Sequence, residues 1–189
     1  MKNLMLAIGF VLSGVAGYSQ IQYLRYNDDF SYLQSDSLTK KGLKKLKYIP
    51  IAEQINISLG GEIREQIQRY NNFNFGDVPS NYETSSSWQL WHRLMVHANV
   101  DIGQRSRVFV QLSSTYRFLN PNPLTPEIDQ NELSLHQAFI DYRFNRLWMA
   151  RIGRQEMSYG SHRLITFREG PNTRLTFDAA VAKYNNGKR

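Results

Sequence analysis

Between Trp88 and Ile102 the chain alternates with a period of two. Trp88, Leu90, His92, Leu94, Val96, Ala98, Val100 and Ile102 fall on one side, apolar but for the histidine. Gln89, Trp91, Arg93, Met95, His97, Asn99 and Asp101 fall on the other, which is mostly polar and carries both charge signs. Successive side chains of a strand point to opposite faces, so this segment predicts a β-strand with one oily face and one wet face. Soluble strands average about five or six residues, whereas a tilted strand crossing a bilayer needs about nine to eleven plus a rim at each end. The length and the two-sidedness together predict a strand standing in a membrane.

The same pattern predicts five more strands. Over 55–70, Ile55, Ile57, Leu59, Gly61, Ile63 and Ile67 oppose Asn56, Ser58, Glu62, Arg64, Gln66 and Gln68. Over 107–117, Val108, Val110, Leu112 and Tyr116 oppose Phe109, Gln111, Ser113, Thr115 and Arg117. Over 135–144, Ala138, Ile140, Tyr142 and Phe144 oppose Gln137, Phe139, Asp141 and Arg143. Over 147–157, Trp148, Ala150 and Ile152 oppose Met149, Arg151 and Gln155, with Gly153 marking a candidate bulge. Over 174–184, Leu175, Phe177, Ala179 and Val181 read as the oily side, and Arg174, Thr176, Asp178 and Ala182 as the wet one.

The connections alternate long and short. Residues 71–87, 118–131 and 158–172 are long, the second carrying three prolines that no strand interior would hold. Residues 103–106, Asn145-Arg146 and Asn185-Asn186-Gly187 are tight. Outer-membrane barrels have long extracellular loops and short periplasmic turns, and the phase fits. Aromatic residues fall in two rows: Tyr70, Trp88, Tyr116 and Phe118 at the long-loop ends, Tyr142, Phe144, Trp148 and Tyr184 at the short-turn ends. Rings with an apolar body and a polar tip favour the two lipid–water boundaries. The expected fold is all-β, an antiparallel transmembrane β-barrel. Six strands cannot close, since such barrels begin at about eight and an open edge in lipid leaves backbone groups unpaired. The chain is therefore expected to be the N-terminal part of a larger barrel.

Lys2, the apolar run from Leu4 to Val15 and the small residues of Gly17-Tyr18-Ser19 predict a signal peptide over 1–19, hence export to the Gram-negative outer membrane. Residues 20–54 read as a periplasmic lead-in containing the basic run Lys40-Lys41-Gly42-Leu43-Lys44-Lys45-Leu46-Lys47. That run is either simply solvated or a positive apron that attracts anions. Residues 55–189 form the barrel part.

Composition narrows the chemistry. There are no cysteines, so disulfides and thiolate metal sites are excluded. At 41% hydrophobic residues the chain is too polar for a helical membrane protein, and no later stretch predicts a spanning helix. The net charge of +7 suits a nucleic-acid binder, an anionic surface or an anion pore. Its distribution favours the pore, because Arg64, Arg93, Arg117, Arg151 and Arg174 all fall on wet positions, accompanied by Glu62, Asp101, Asp141 and Asp178. Guanidinium is always charged and forks onto carboxylates, so the set reads either as a lining for anions or as ion pairs that satisfy the barrel interior. Nucleic acid is not expected as a partner; outer-membrane lipid is. His97 reads as a hydrogen-bonding lining residue and His92 as a rim residue. His136 and His162 lack metal-ligand spacing, so no metal or cofactor is expected. Ser158, Ser161, His162 and Asp178 make a conceivable outer-membrane hydrolase set, but no Gly-x-Ser-x-Gly elbow frames them, and the chain does not read as an enzyme.

The segment Arg151-Ile152-Gly153-Arg154-Gln155-Glu156-Met157-Ser158-Tyr159-Gly160, followed by His162-Arg163-Leu164, resembles the alginate export family of outer-membrane porins. So do Ser58-Leu59-Gly60-Gly61-Glu62-Ile63-Arg64-Glu65, the run from Arg93 to Val100, Leu135-His136-Gln137-Ala138-Phe139-Ile140-Asp141 and Phe177-Asp178. The resemblance implies a barrel of about 18 strands that passes an anionic uronate polysaccharide or oligosaccharide through an arginine-lined constriction. By position it implies Arg64, Arg93, Arg151, Arg163 and Arg174 as conduit residues, with Glu62 and Asp178 as partners and His97 and Gln155 also on the lining. It also implies periplasmic export machinery as a partner. A general diffusion porin, without polysaccharide specificity, is the alternative.

Overall fold

The computed structural model describes residues 22–34, 42–72, 75, 77, 87–119 and 129–185. The segment expected to be a signal peptide, most of the first two long loops and the expected turn at Asn186-Gly187 lie outside the described residues. Seven strands form: β1 (Ile49–Ala52), β2 (Ile55–Tyr70), β3 (Ser87–Ile102), β4 (Ser106–Phe118), β5 (Asn131–Arg143), β6 (Trp148–Gln155) and β7 (Phe177–Tyr184). All pair antiparallel, in chain order, as one sheet curled into an open half-barrel. Six of them are the strands that the alternation predicts. The seventh, β1, falls in the expected lead-in and sets Pro50 opposite Asn56 at the edge of the sheet, where a missing N–H costs no ladder bond. Among the described residues no helix is long and apolar enough to cross a membrane, and the helical turns are short 3-10 pieces.

Side-chain placement is inverted relative to a water-soluble protein. The outer face carries Ile63, Ile67 and Ile152, each more than 60% exposed, together with Leu59, Leu94, Val96, Val110, Leu112 and Ile140. The inner face buries Arg93, Arg151, Gln89, Gln111, Gln137 and Gln155. A transmembrane barrel needs this arrangement, apolar toward lipid and polar toward the lumen. Rings gather at both ends of the outer face: Tyr142 with Phe144 and Trp148 with Tyr184 at the short turns, Tyr116 with Phe118 at the long loops. Tyr70 departs from the expected girdle, because its position in β2 points it inward, against Trp91 at 6.4 Å.

Three further expectations change. The β5–β6 register runs unbroken through Phe139↔Gly153, so Gly153 is not a bulge. The irregularities lie in the β1–β2 and β4–β5 ladders, and one in the latter puts both His136 and Gln137 on the buried side. The face of β7 is reversed: register with β6 sets Val181 opposite Arg151 and Asp178 opposite Arg154, so Phe177, Ala179 and Val181 face inward and Asp178 outward. Parity counted from Arg174 misleads because residues 174–176 precede the ladder. Finally, the third long connection, 156–176, folds back inside, burying Met157, Phe167, Asn172 and Arg174.

Candidate functional site

Inside the half-barrel, Arg64 of β2 and Arg93 of β3 stand directly opposite each other, with Glu62 one step along the same face. Two neighbouring guanidiniums repel, and anions must hold them together. Glu62 accepts from Arg25 at 2.8 Å and from Arg93 at 2.8 Å, and lies 3.5 Å from Arg174. Glu169, from the inward connection, accepts from Arg64 at 3.2 Å and from Arg93 and Arg174 at 2.5 Å each. The side chains of Arg93 and Arg174 are 0% and 2% exposed. A buried charge is tolerated only when paired and hydrogen-bonded, which these carboxylates provide. Glu156 closes the cluster from behind, bonded to His136 Nε2 at 2.7 Å and 3.6 Å from Arg174.

A second centre lies nearer the short-turn end. Asp141 accepts from Arg151 Nε at 2.6 Å and Nη2 at 2.9 Å, and also from Arg107. The Arg151 guanidinium sits in the corner of two perpendicular rings, 4.0 Å from that of Tyr26 and 3.9 Å from that of Phe139. Tyr26 packs edge-on against Phe109 and Phe139, and its hydroxyl donates to the Glu156 carbonyl at 2.9 Å. Residues expected as a solvated lead-in therefore bind the inner wall at Arg25 and Tyr26, with Leu24 packed beside Tyr26.

The acids are shared. Glu62 and Glu169 each serve three arginines and Asp141 two, so cations exceed carboxylates at each centre. Arg117, inward on β4 opposite Trp91, leaves its Nε and Nη1 without hydrogen-bond partners. The described interior is thus net positive.

Glu169 carries a testable pH dependence. Burial opposes its ionisation, but the hydrogen bonds and charges of Arg93 and Arg174 together outweigh burial and hold its carboxyl below the usual range. A depressed carboxyl stabilises the fold fully above its unfolded value of about 4.3 and loses that contribution as pH falls through the folded value. The expected gap in unfolding free energy between wild type and Glu169→Gln is about 1 kcal/mol at pH 7, after discounting for partial solvent screening. Urea titrations should show the gap shrinking toward zero as the pH is lowered beyond 4 on this scale. A gap that persists in acid would contradict the assignment.

The profile of the alginate export family matches residues 55–188, every strand from β2 to β7. The chain belongs to the alginate export family. Comparison with curated proteins gave no match, nor did comparison with solved structures. The alginate export family is one of outer-membrane porins and not of enzymes, and the barrel fold agrees with that location.

For this alginate export chain, the expected lining residues do not all come together. Glu62, Arg64, Arg93 and Arg174 converge in the first centre. Arg151 belongs to the second, buried under Tyr26 instead of facing open lumen. His97 is buried between them, its ring stacked on Phe109 at 5.4 Å and lying where a Cβ on Gly60 would go; its Nδ1 has no hydrogen-bond partner. Gln155 is also buried and donates to the Ala179 carbonyl at 3.1 Å. Arg163 is exposed in the connection, away from both centres. Asp178 pairs with Arg154 at 2.9 Å on the outer face. The hydrolase set is likewise divided: Ser158 Oγ and His162 Nδ1 are hydrogen-bonded, but Asp178 is on the opposite side of the wall. Sequence reasoning missed Arg25 and Glu169, because both lie in segments with no period-two pattern. His92, expected at the rim, pairs with Glu65 on the outer face beside Phe118.

Proposed function

We propose that this member of the alginate export family is an outer-membrane conduit for an anionic, uronate-type polysaccharide or oligosaccharide. The observation that carries the reading is the sharing of Glu62, Glu169 and Asp141 by two or three arginines each, which leaves positive charge for a passing anion. Guanidinium groups fork onto carboxylates, and a wall lined with them favours anions over cations. Arg117 adds a half-buried guanidinium near the long-loop end, with no ion pair to an acid among the described residues. The apolar outer face serves lipid, and periplasmic export machinery would deliver or receive the chain.

Planar-bilayer recordings of the complete protein across a KCl gradient test this. The expected reversal potential is that of an anion-selective pore, with current blocked by tri-galacturonate and not by maltotriose. Arg117→Gln, which removes no ion-pair partner, should lower both anion selectivity and the tri-galacturonate block. Strong cation selectivity unchanged by this substitution would overturn the reading. Anion selectivity without block at low tri-galacturonate concentration would favour a general diffusion porin.

A further inference from the structure

Glu169 differs from Glu62 and Asp141, the other acids that bridge arginines, in the element that carries it. Glu62 rises from β2 and Asp141 from β5, whereas Glu169 sits in the connection 156–176, between Arg168 at φ 51° and Gly170. Its carboxylate bonds to guanidiniums alone: Arg64, Arg93 and Arg174. Its side chain is 37% exposed, while those of Arg64, Arg93 and Arg174 are 19%, 0% and 2% exposed. The carboxylate therefore reaches from the accessible side into a recess floored by three cations. A free carboxylate arriving from the lumen would approach the recess in the same way and make the same bonds.

Arg64 also donates to the carbonyls of Glu169 at 2.7 Å and Pro171 at 3.4 Å, and Arg93 to that of Asn172 at 3.5 Å, but the connection has further ties of its own. Asn172, fully buried, donates to the carbonyls of His92, Tyr116 and Asp129, and its N–H donates to the Asp129 carboxylate at 2.9 Å. Leu175 N–H donates to the Phe167 carbonyl at 2.8 Å. Glu169 can leave the recess by a local swing of its side chain and neighbours, with these ties intact.

We propose that Arg64, Arg93 and Arg174 form a receiving site for one carboxylate of the transported chain, and that Glu169 is its built-in occupant, displaced when a substrate carboxylate enters. The inference rests on the anionic-saccharide reading above and adds the regulation of its site. Exchange of one carboxylate for another keeps the charge-assisted hydrogen bonds, so entry costs little net free energy. A tethered competitor acts at an effective concentration in the millimolar range, which weakens binding of each free anion and lets it leave again. A multivalent polyanion, presenting carboxylates in succession, competes better than a single sugar acid.

The test compares tri-galacturonate binding, read as block of current, in wild type and Glu169→Gln. Removing the competitor should tighten the block tenfold or more, with maltotriose inactive on both. Hydrogen exchange on the wild-type protein gives a second readout that does not depend on a variant folding. Amides of residues 166–171 should exchange several-fold faster with tri-galacturonate bound, and those flanking Asn172 should not change. Block of wild type and Glu169→Gln at equal or weaker affinity, or exchange that stays the same or slows, would overturn displacement while leaving the conduit reading standing. Failure of tri-galacturonate to block wild type at all would remove the conduit reading and the displacement with it.

Discussion

Replacing Asp141 by alanine is expected to destabilise the folded barrel by about 3–5 kcal/mol, the usual cost of stranding a buried charge. Asp141 is 3% exposed and is the acid shared by Arg107 and Arg151. Its loss leaves Arg151, 1% exposed, with its guanidinium against two aromatic rings and no counter-ion. The cation–π contacts with Tyr26 and Phe139 recover only about 1–2 kcal/mol of that. Asp141→Asn separates charge from shape, since the amide keeps one acceptor oxygen but not the negative charge, and should fall between. Urea unfolding in lipid vesicles, followed by tryptophan fluorescence, measures both. A change below about 1 kcal/mol for the alanine variant, the range of exposed pairs, would mean that water reaches this centre.

The second large effect is expected at Gly153. Its φ is +128°, a conformation that residues with a Cβ rarely adopt, and an added Cβ would lie 2.3 Å from the Ala138 carbonyl oxygen and 2.8 Å from Phe139 Cα. Backbone cannot yield there without parting β5 from β6. Backbone strain of about 1–3 kcal/mol and overpacking of similar size combine to a loss of about 3 kcal/mol or more for Gly153→Ala. The same unfolding experiment reads it, and Gly160→Ala is a useful contrast. Gly160 has φ +62° but nothing within 4 Å of an added Cβ, so only the strain contribution applies.

How much of this was legible in the sequence depends on where a residue's partners lie. Strands β2 to β5 declare themselves because lipid and water on opposite faces impose a strict period of two. Glu62, Arg64 and Arg93 could be placed on the wet face on that basis, but that they meet, while Arg151 lies in another centre, follows only from the register. The inward turn of residues 156–176 could not, since nothing periodic distinguishes a loop that lies outside from one that folds back. Arg174 was read as part of a strand that begins only at Phe177, and counting parity from it carried Asp178 to the wrong face. Arg25 and Tyr26 were hidden for the same reason as Glu169: their partners are distant in the chain, and a tyrosine amid acids reads as solvated. Gly153 was flagged as irregular. The sequence pattern does not tell a bulge from a position where two backbones approach too closely for a side chain.

The eight-residue length of β6 and β7 bears on the surrounding lipid. At about 3.3 Å per residue and a tilt near 45°, that strip of wall stands roughly 19 Å tall, against roughly 25 Å for the usual apolar band. Its upper rungs carry Arg154 and Asp178 facing outward. Acyl chains beside this strip must shorten to keep that pair in contact with water, at a cost of a fraction of a kcal/mol per Å. The sixteen-residue strands β2 and β3 impose no such pinch, so the outer leaflet around the protein is thinner on one side than on the other.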